Sequence, residues 1–150
     1  MIKIPREISD KAFKEKLRPG AVLKCRDFEF SDGSKRDKYL VFITFGEKED
    51  IVYFFMTTTN VERYNDKPWL KPHVIIIPKN TVPYLSDETV VQCDTLRDDV
   101  TAEKLKRRYS EGKVEIYDRL PPPVIADLEN TVRNSKFLSS AEKTIVLGAL

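Results

Sequence analysis

Hydrophobic and polar positions along the chain change texture three times. Residues 1–20 are polar and basic, but Ala12, Phe13 and Leu17 are spaced like one side of a short helix, which Pro19-Gly20 ends. From Val22 to Phe30 the pattern alternates, with Leu23 and Cys25 on one side and Lys24 and Arg26 on the other. The alternation slips at Asp27, so that Phe28 and Phe30 fall on the opposite parity; one extra residue, a β-bulge, predicts this. Ser31-Asp32-Gly33-Ser34 reads as a turn. Tyr39–Phe45 (YLVFITF) is a nearly unbroken β-branched and aromatic run, the mark of a strand buried on both sides. A charged turn from Gly46 to Asp50 leads into Ile51–Met56 (IVYFFM) as the hairpin partner.

Thr57 to Pro72 is polar and irregular and reads as a long loop. His73–Ile77 and Thr89–Cys93 are two further short strands. After Asp94 the texture becomes helical, with a charged segment at Ala102–Tyr109. Pro121-Pro122-Pro123 then opens a one-sided apolar stripe of Val124, Ile125, Leu128 and Val132. Ser139 and Glu142 have capping-box spacing ahead of the last apolar segment, Ile145–Leu147. Without repeats or low-complexity tracts, residues 1–150 read as one domain: mainly β, a small and strongly bent barrel of about five strands with helices at its ends.

Composition narrows the chemistry. Lys+Arg 26 against Asp+Glu 24 excludes a uniformly basic coat, so attraction to phosphate needs a local patch. Lys35-Arg36-Lys38 and Lys104-Lys106-Arg107-Arg108 are the two candidates. Two cysteines, Cys25 and Cys93, and one histidine, His73, cannot form a four-ligand zinc site or a CxxC pair within one chain. No phosphate-cradling glycine motif occurs among the five glycines. No metal or cofactor is expected, and catalysis would fall to Asp, Glu, Arg, Lys, Thr or Tyr. The longest apolar run is too short to cross a bilayer as a helix, and residues 1–7 lack a signal-like apolar core, which predicts a cytoplasmic protein.

Three ordered segments resemble the MazF/PemK/Kid-like toxin family. Leu17-Arg18-Pro19-Gly20-Ala21-Val22-Leu23 is similar to the family's opening strand after a basic stretch. Lys38-Tyr39-Leu40-Val41-Phe42-Ile43 looks like its "R-P-x-[LV]-[VI]-[VI]" strand, leading through a hairpin to Phe55-Met56-Thr57-Thr58 in place of "P-x-T-[ST]". Glu88 to Arg97 is similar to its "S-x-[VA]-x-[CL]-[DE]-Q-x-R" stretch, and Pro123–Leu138 fits the slot of the closing helix. The resemblance spans roughly residues 17–138. It implies an SH3-like barrel of about five to seven strands, a homodimer that cleaves single-stranded RNA without metal and is restrained by a cognate antitoxin.

Metal-free cleavage makes the RNA 2′-hydroxyl the nucleophile, so the protein must take one proton, return another and stabilise charge on the phosphorane. By the resemblance, Asp94 is the general base and Arg97 the phosphate clamp, the two meeting at one mouth of the barrel. Lys38, Thr57, Thr58, Gln92 and Arg36 are candidate substrate contacts, and Trp69, between Lys67 and Lys71, is a candidate for base stacking. The chain departs from the pattern at Gln92, where the Kid-like branch has arginine, at Lys38, which replaces an arginine, and in lacking the proline after Lys38. These departures leave room for an alternative, a barrel that binds nucleic acid or a protein partner without cleaving. A third reading is a gyrase-poisoning toxin. Simpler roles also exist for the same residues. Asp94 suits a turn or cap, Arg97 an ion pair with Asp98 or Asp99, and Thr57 and Thr58 an ordinary strand. His73 suits a strand end, Cys25 and Cys93 the core, and Trp69 docking on its own barrel.

Overall fold

The computed structural model describes residues 13–29, 33–48 and 50–150. Ala12, Phe30, Ser31 and Asp32, which entered the sequence reading, lie outside these residues. Residues 13–16 are helical (α1), Phe13 and the following Leu17 are buried, and Gly20 then adopts φ +89° to turn the chain into the sheet.

Strand β1 (Ala21–Glu29) pairs antiparallel with β2 (Lys35–Phe45), which forms a hairpin with β3 (Ile51–Thr58). The expected bulge is present. The register slips between Cys25 and Phe28, and Asp27 takes φ 52°. A non-glycine residue there costs on the order of 1 kcal/mol, offset in part by the Asp27 amide donating to Asp37 Oδ1 at 3.1 Å. The extra residue lets Cys25 and Phe28 reach the same core despite their opposite parity.

Three further strands, β4 (Ile75–Ile77), β5 (Thr89–Val91) and β6 (Arg97–Thr101), extend the sheet beyond β3, and β7 (Val114–Arg119) pairs with β1 at the other edge. The path runs β4-β5-β3-β2-β1-β7, with β6 also on β3, as a curled half-barrel of seven antiparallel strands among the described residues.

The curl has a core on each side, which accounts for the unbroken YLVFITF run. Val41 and Ile43 face Val22, Phe55 and the helices α4 (Pro122–Arg133) and α5 (Ser140–Ala149), through Ile125, Leu128, Val132 and Val146. Leu40 and Phe42 face Leu23, Phe54, Met56, Phe13 and Leu105 of α3 (Ala102–Ser110). Ser139 caps α5 as its spacing predicts: Glu142 N donates to Ser139 Oγ at 3.1 Å and Ser139 N to Glu142 Oε1 at 2.9 Å.

Several expected elements differ. The long loop from Thr57 is shorter, because β3 continues through Thr58, α2 (Glu62–Asp66) follows, and Lys71–His73 forms a 3-10 turn. Tyr64 of α2 is buried against Val74 and Val90, an anchor that tethers this stretch. The expected strand from His73 begins only at Ile75, and that from Thr89 stops at Val91, where the chain turns through Cys93 and Asp94. The stretch after Asp94 is not purely helical, since β6 and β7 flank α3. Their charged residues belong to strands with one partner on the sheet edge, where polar side chains face water. Among the described residues no helix is long and apolar enough to cross a membrane, and no cluster of three metal-ligating side chains occurs.

Candidate nucleic-acid interface

The C-terminal end of β3 gathers four of the residues singled out by sequence. Thr57 pairs with Val91 and Thr58 with Val90, so β5 lies along one edge of this strand end and β2 along the other. From β2, Lys38 Nζ donates to the Thr57 carbonyl at 3.0 Å. Burial lowers the Lys38 amine below the ordinary lysine range, and the neighbouring Arg36 charge pushes the same way. Thr57 is buried, and its hydroxyl donates to the Tyr39 carbonyl at 2.7 Å, locking β2 to β3. The Thr58 hydroxyl accepts from the Asn60 amide at 3.2 Å. From the β5 side, the Gln92 amide donates to the Met56 carbonyl at 2.9 Å, and its side chain donates to the Tyr64 hydroxyl, also at 2.9 Å.

Asp94 follows two residues after Gln92, on the turn between β5 and β6. It is half-buried, and no hydrogen bond or ion pair holds its carboxylate among the described residues. Its charge and, more strongly, burial push the adjacent Cys93 thiol up to about 12. Lys38 and the Gln92–Asp94 turn therefore flank β3 on opposite sides, and the turn leads back along β3 from Met56 toward Phe54, which pairs with Arg97.

Arg97 begins β6 opposite Phe54, and its guanidinium lies 5.8 Å from the centre of the Phe54 ring. It forks onto Asp99, with Nε 3.0 Å from Oδ1 and Nη2 2.5 Å from Oδ2. That hydrogen bonding raises the guanidinium's proton affinity and holds the Asp99 carboxyl below the usual carboxylate range. The guanidinium expected to share a mouth with Asp94 is thus engaged by Asp99. Arg36 is exposed opposite Phe28, near the β1 bulge. Trp69 is 64% exposed in the turn before Lys71–His73.

Sequence reasoning missed Tyr64 as the anchor of Gln92, and it offered Asp99 only as one of two partners for Arg97. A period of two across Arg97-Asp98-Asp99 would have singled out Asp99, had β6 been read as a strand. Compared with known proteins, the chain matches no family model, no curated protein and no solved structure.

Proposed function

We propose that this chain is a metal-independent endoribonuclease of the MazF/PemK toxin kind, cytoplasmic and homodimeric, acting on single-stranded RNA and restrained by an antitoxin. The observation that carries this reading is the half-buried Asp94 carboxylate. It lacks a hydrogen-bond or ion-pair partner among the described residues and lies on the turn that carries the chain from Gln92, beside Met56, to Arg97, opposite Phe54. In this reading Asp94 takes the proton from the 2′-hydroxyl, whose oxygen attacks phosphorus as the bond to the 5′-oxygen breaks, leaving a cyclic phosphate. Lys38, an amine made more acidic by burial, balances phosphorane charge and returns the proton to the leaving oxygen. Thr57 sets the β2–β3 spacing and is a positioning residue. Arg97 offers the guanidinium hydrogens that Asp99 leaves unused.

Two observations favour a second reading, binding without cleavage: Asp99 occupies a fork of Arg97, and the Gln92 carboxamide cannot act as a general acid. Incubation with a long single-stranded RNA in the presence of a chelator separates the two. The nuclease reading expects discrete fragments ending in cyclic phosphate, lost in Asp94→Asn with binding retained. A salt-sensitive complex without fragments supports the binding reading. Growth arrest with DNA damage and intact messenger RNA would favour the gyrase-directed alternative over both.

A further inference from the structure

The bulge in β1 has a cavity beside it. From Cys25 to Phe28 the chain takes one more step than β2 takes from Lys38 to Arg36, and the extra residue bends the strand. Next to the bend, closed by β2, β6 and α3, lies a pocket of about 50 Å³. Its walls are apolar: Cys25, Phe28, Leu40, Val100 and Leu105, all from the core that faces α3. At about 30 Å³ for a water-sized group, the space takes about two aliphatic carbons and excludes a ring.

The rim is charged, and most of its charges are engaged. Arg26 pairs with Glu115 at 2.6 Å, and Asp99 is held by the Arg97 fork. Glu29 stands directly opposite Lys35 across β1 and β2. Glu103 and Glu111 do not line the pocket, and Glu111 pairs with Lys113 at 3.5 Å. That leaves Lys104 and Arg108, one turn apart on α3 and therefore on one side of it. Both are half-buried, and neither side chain makes an ion pair or hydrogen bond among the described residues. Lys104 does act on the Asp99 charge, more weakly than Arg97 does. Arg108 reaches the apolar wall: burial pushes the Cys25 thiol up to about 12, and the Arg108 charge is the influence that opposes it.

We infer that this pocket binds a small aliphatic carboxylate, with the tail among Cys25, Leu40 and Leu105 and the carboxylate on Lys104 and Arg108. An apolar recess with a few convergent polar groups at one end is the usual form of a small-molecule site, and a guanidinium matches a carboxylate with two parallel hydrogen bonds. The strained backbone at Asp27, φ 52°, keeps the recess open instead of letting β1 close over it. The inference is independent of the RNA reading.

The test titrates butyrate into the isotope-labelled full chain at constant ionic strength and follows the backbone amide resonances. Saturable shifts are expected at Cys25, Leu40, Val100 and Leu105, with a Kd on the order of a millimolar. Butyramide, which keeps the tail without the charge, and acetate, which keeps the charge without the tail, should each bind about tenfold more weakly. Arg108→Gln, at the rim, should weaken butyrate about tenfold and leave butyramide unchanged. Val100→Leu, which fills the recess, should remove the shifts in a protein that melts like wild type. Butyrate shifts confined to surface lysines, equal affinity for butyramide, or an Arg108→Gln protein that binds butyrate as before would each overturn the site.

Discussion

The Arg97–Asp99 fork gives the most direct handle on the candidate interface, through Asp99→Asn. The asparagine keeps the size of the side chain and one acceptor oxygen but removes the charge. With the side chains 31% and 53% exposed, water screens the pair, and its worth falls to about 0.5–1 kcal/mol despite the two-point geometry. The stacking of Arg97 over Phe54 survives the change. Because Arg97 holds the Asp99 carboxyl below the usual range, the pair's stability is fully present above the unfolded carboxyl value of about 3.9 and is lost as pH falls through the lower folded value. Urea unfolding should therefore show wild type exceeding Asp99→Asn by no more than about 1 kcal/mol at neutral pH, a gap that closes near pH 2.

Under the proposed RNA reading, the same substitution reports on binding as well. Removing a carboxylate that competes with phosphate for Arg97 should tighten binding several-fold. It should also steepen the plot of log affinity against log salt by about 0.7, the increment for one further phosphate contact on a single strand. A stability gap of more than about 2 kcal/mol, or one that persists at pH 2, would refute the screened-pair argument. Weaker RNA binding with an unchanged salt slope would refute the competition and make Asp99 a positioning residue for the guanidinium.

Gly20→Ala should cost about 2–3 kcal/mol and lower Tm by about 5–10 °C. The added Cβ meets Ile125 Cδ1 at 2.7 Å in a φ +89° conformation, and pairing the change with Ile125→Val, which removes that atom, should return the steric share. Ser139→Ala should cost about 1 kcal/mol and quicken amide exchange in the first turn of α5, since the hydroxyl that accepts from the Glu142 amide is lost while the backbone amide at 139 can still donate to Glu142. Burial pushes the thiols of Cys25 and Cys93 up to about 12, so a disulfide reagent at pH 8 should label neither in the folded protein and both in urea. Rapid labelling of the native protein would contradict the packing of both.

What the sequence made legible was whatever left a periodic trace. YLVFITF announced a strand with a core on each side, and Val41 and Leu40 do fall into separate cores. The parity slip at Asp27 located a bulge, and Ser139 with Glu142 located a helix start. Tyr64 left no such trace, because a single buried aromatic in a polar stretch looks like any loop residue until the cavity it fills is known. β6 was hidden for a related reason. Arg97-Asp98-Asp99 is too polar to be read as a strand from its own residues, and it becomes one through backbone pairing with β3.

That hidden strand also decides how the candidate chemistry is divided. Asp94 and Arg97, three apart, would share a side if the chain after Asp94 were helical. Here a turn intervenes, and the direction of Arg97 is set by β6, whose register puts it over Phe54 and on the same side as Asp99. Asp94 remains with the turn that leaves Gln92, whose contacts are Met56 and Tyr64. The carboxylate therefore sits on the turn between Gln92 and Arg97, and the guanidinium in a fork with Asp99. In the proposed reading, an RNA that engaged both groups would have to displace Asp99 from Arg97, which makes that exchange the step to test first.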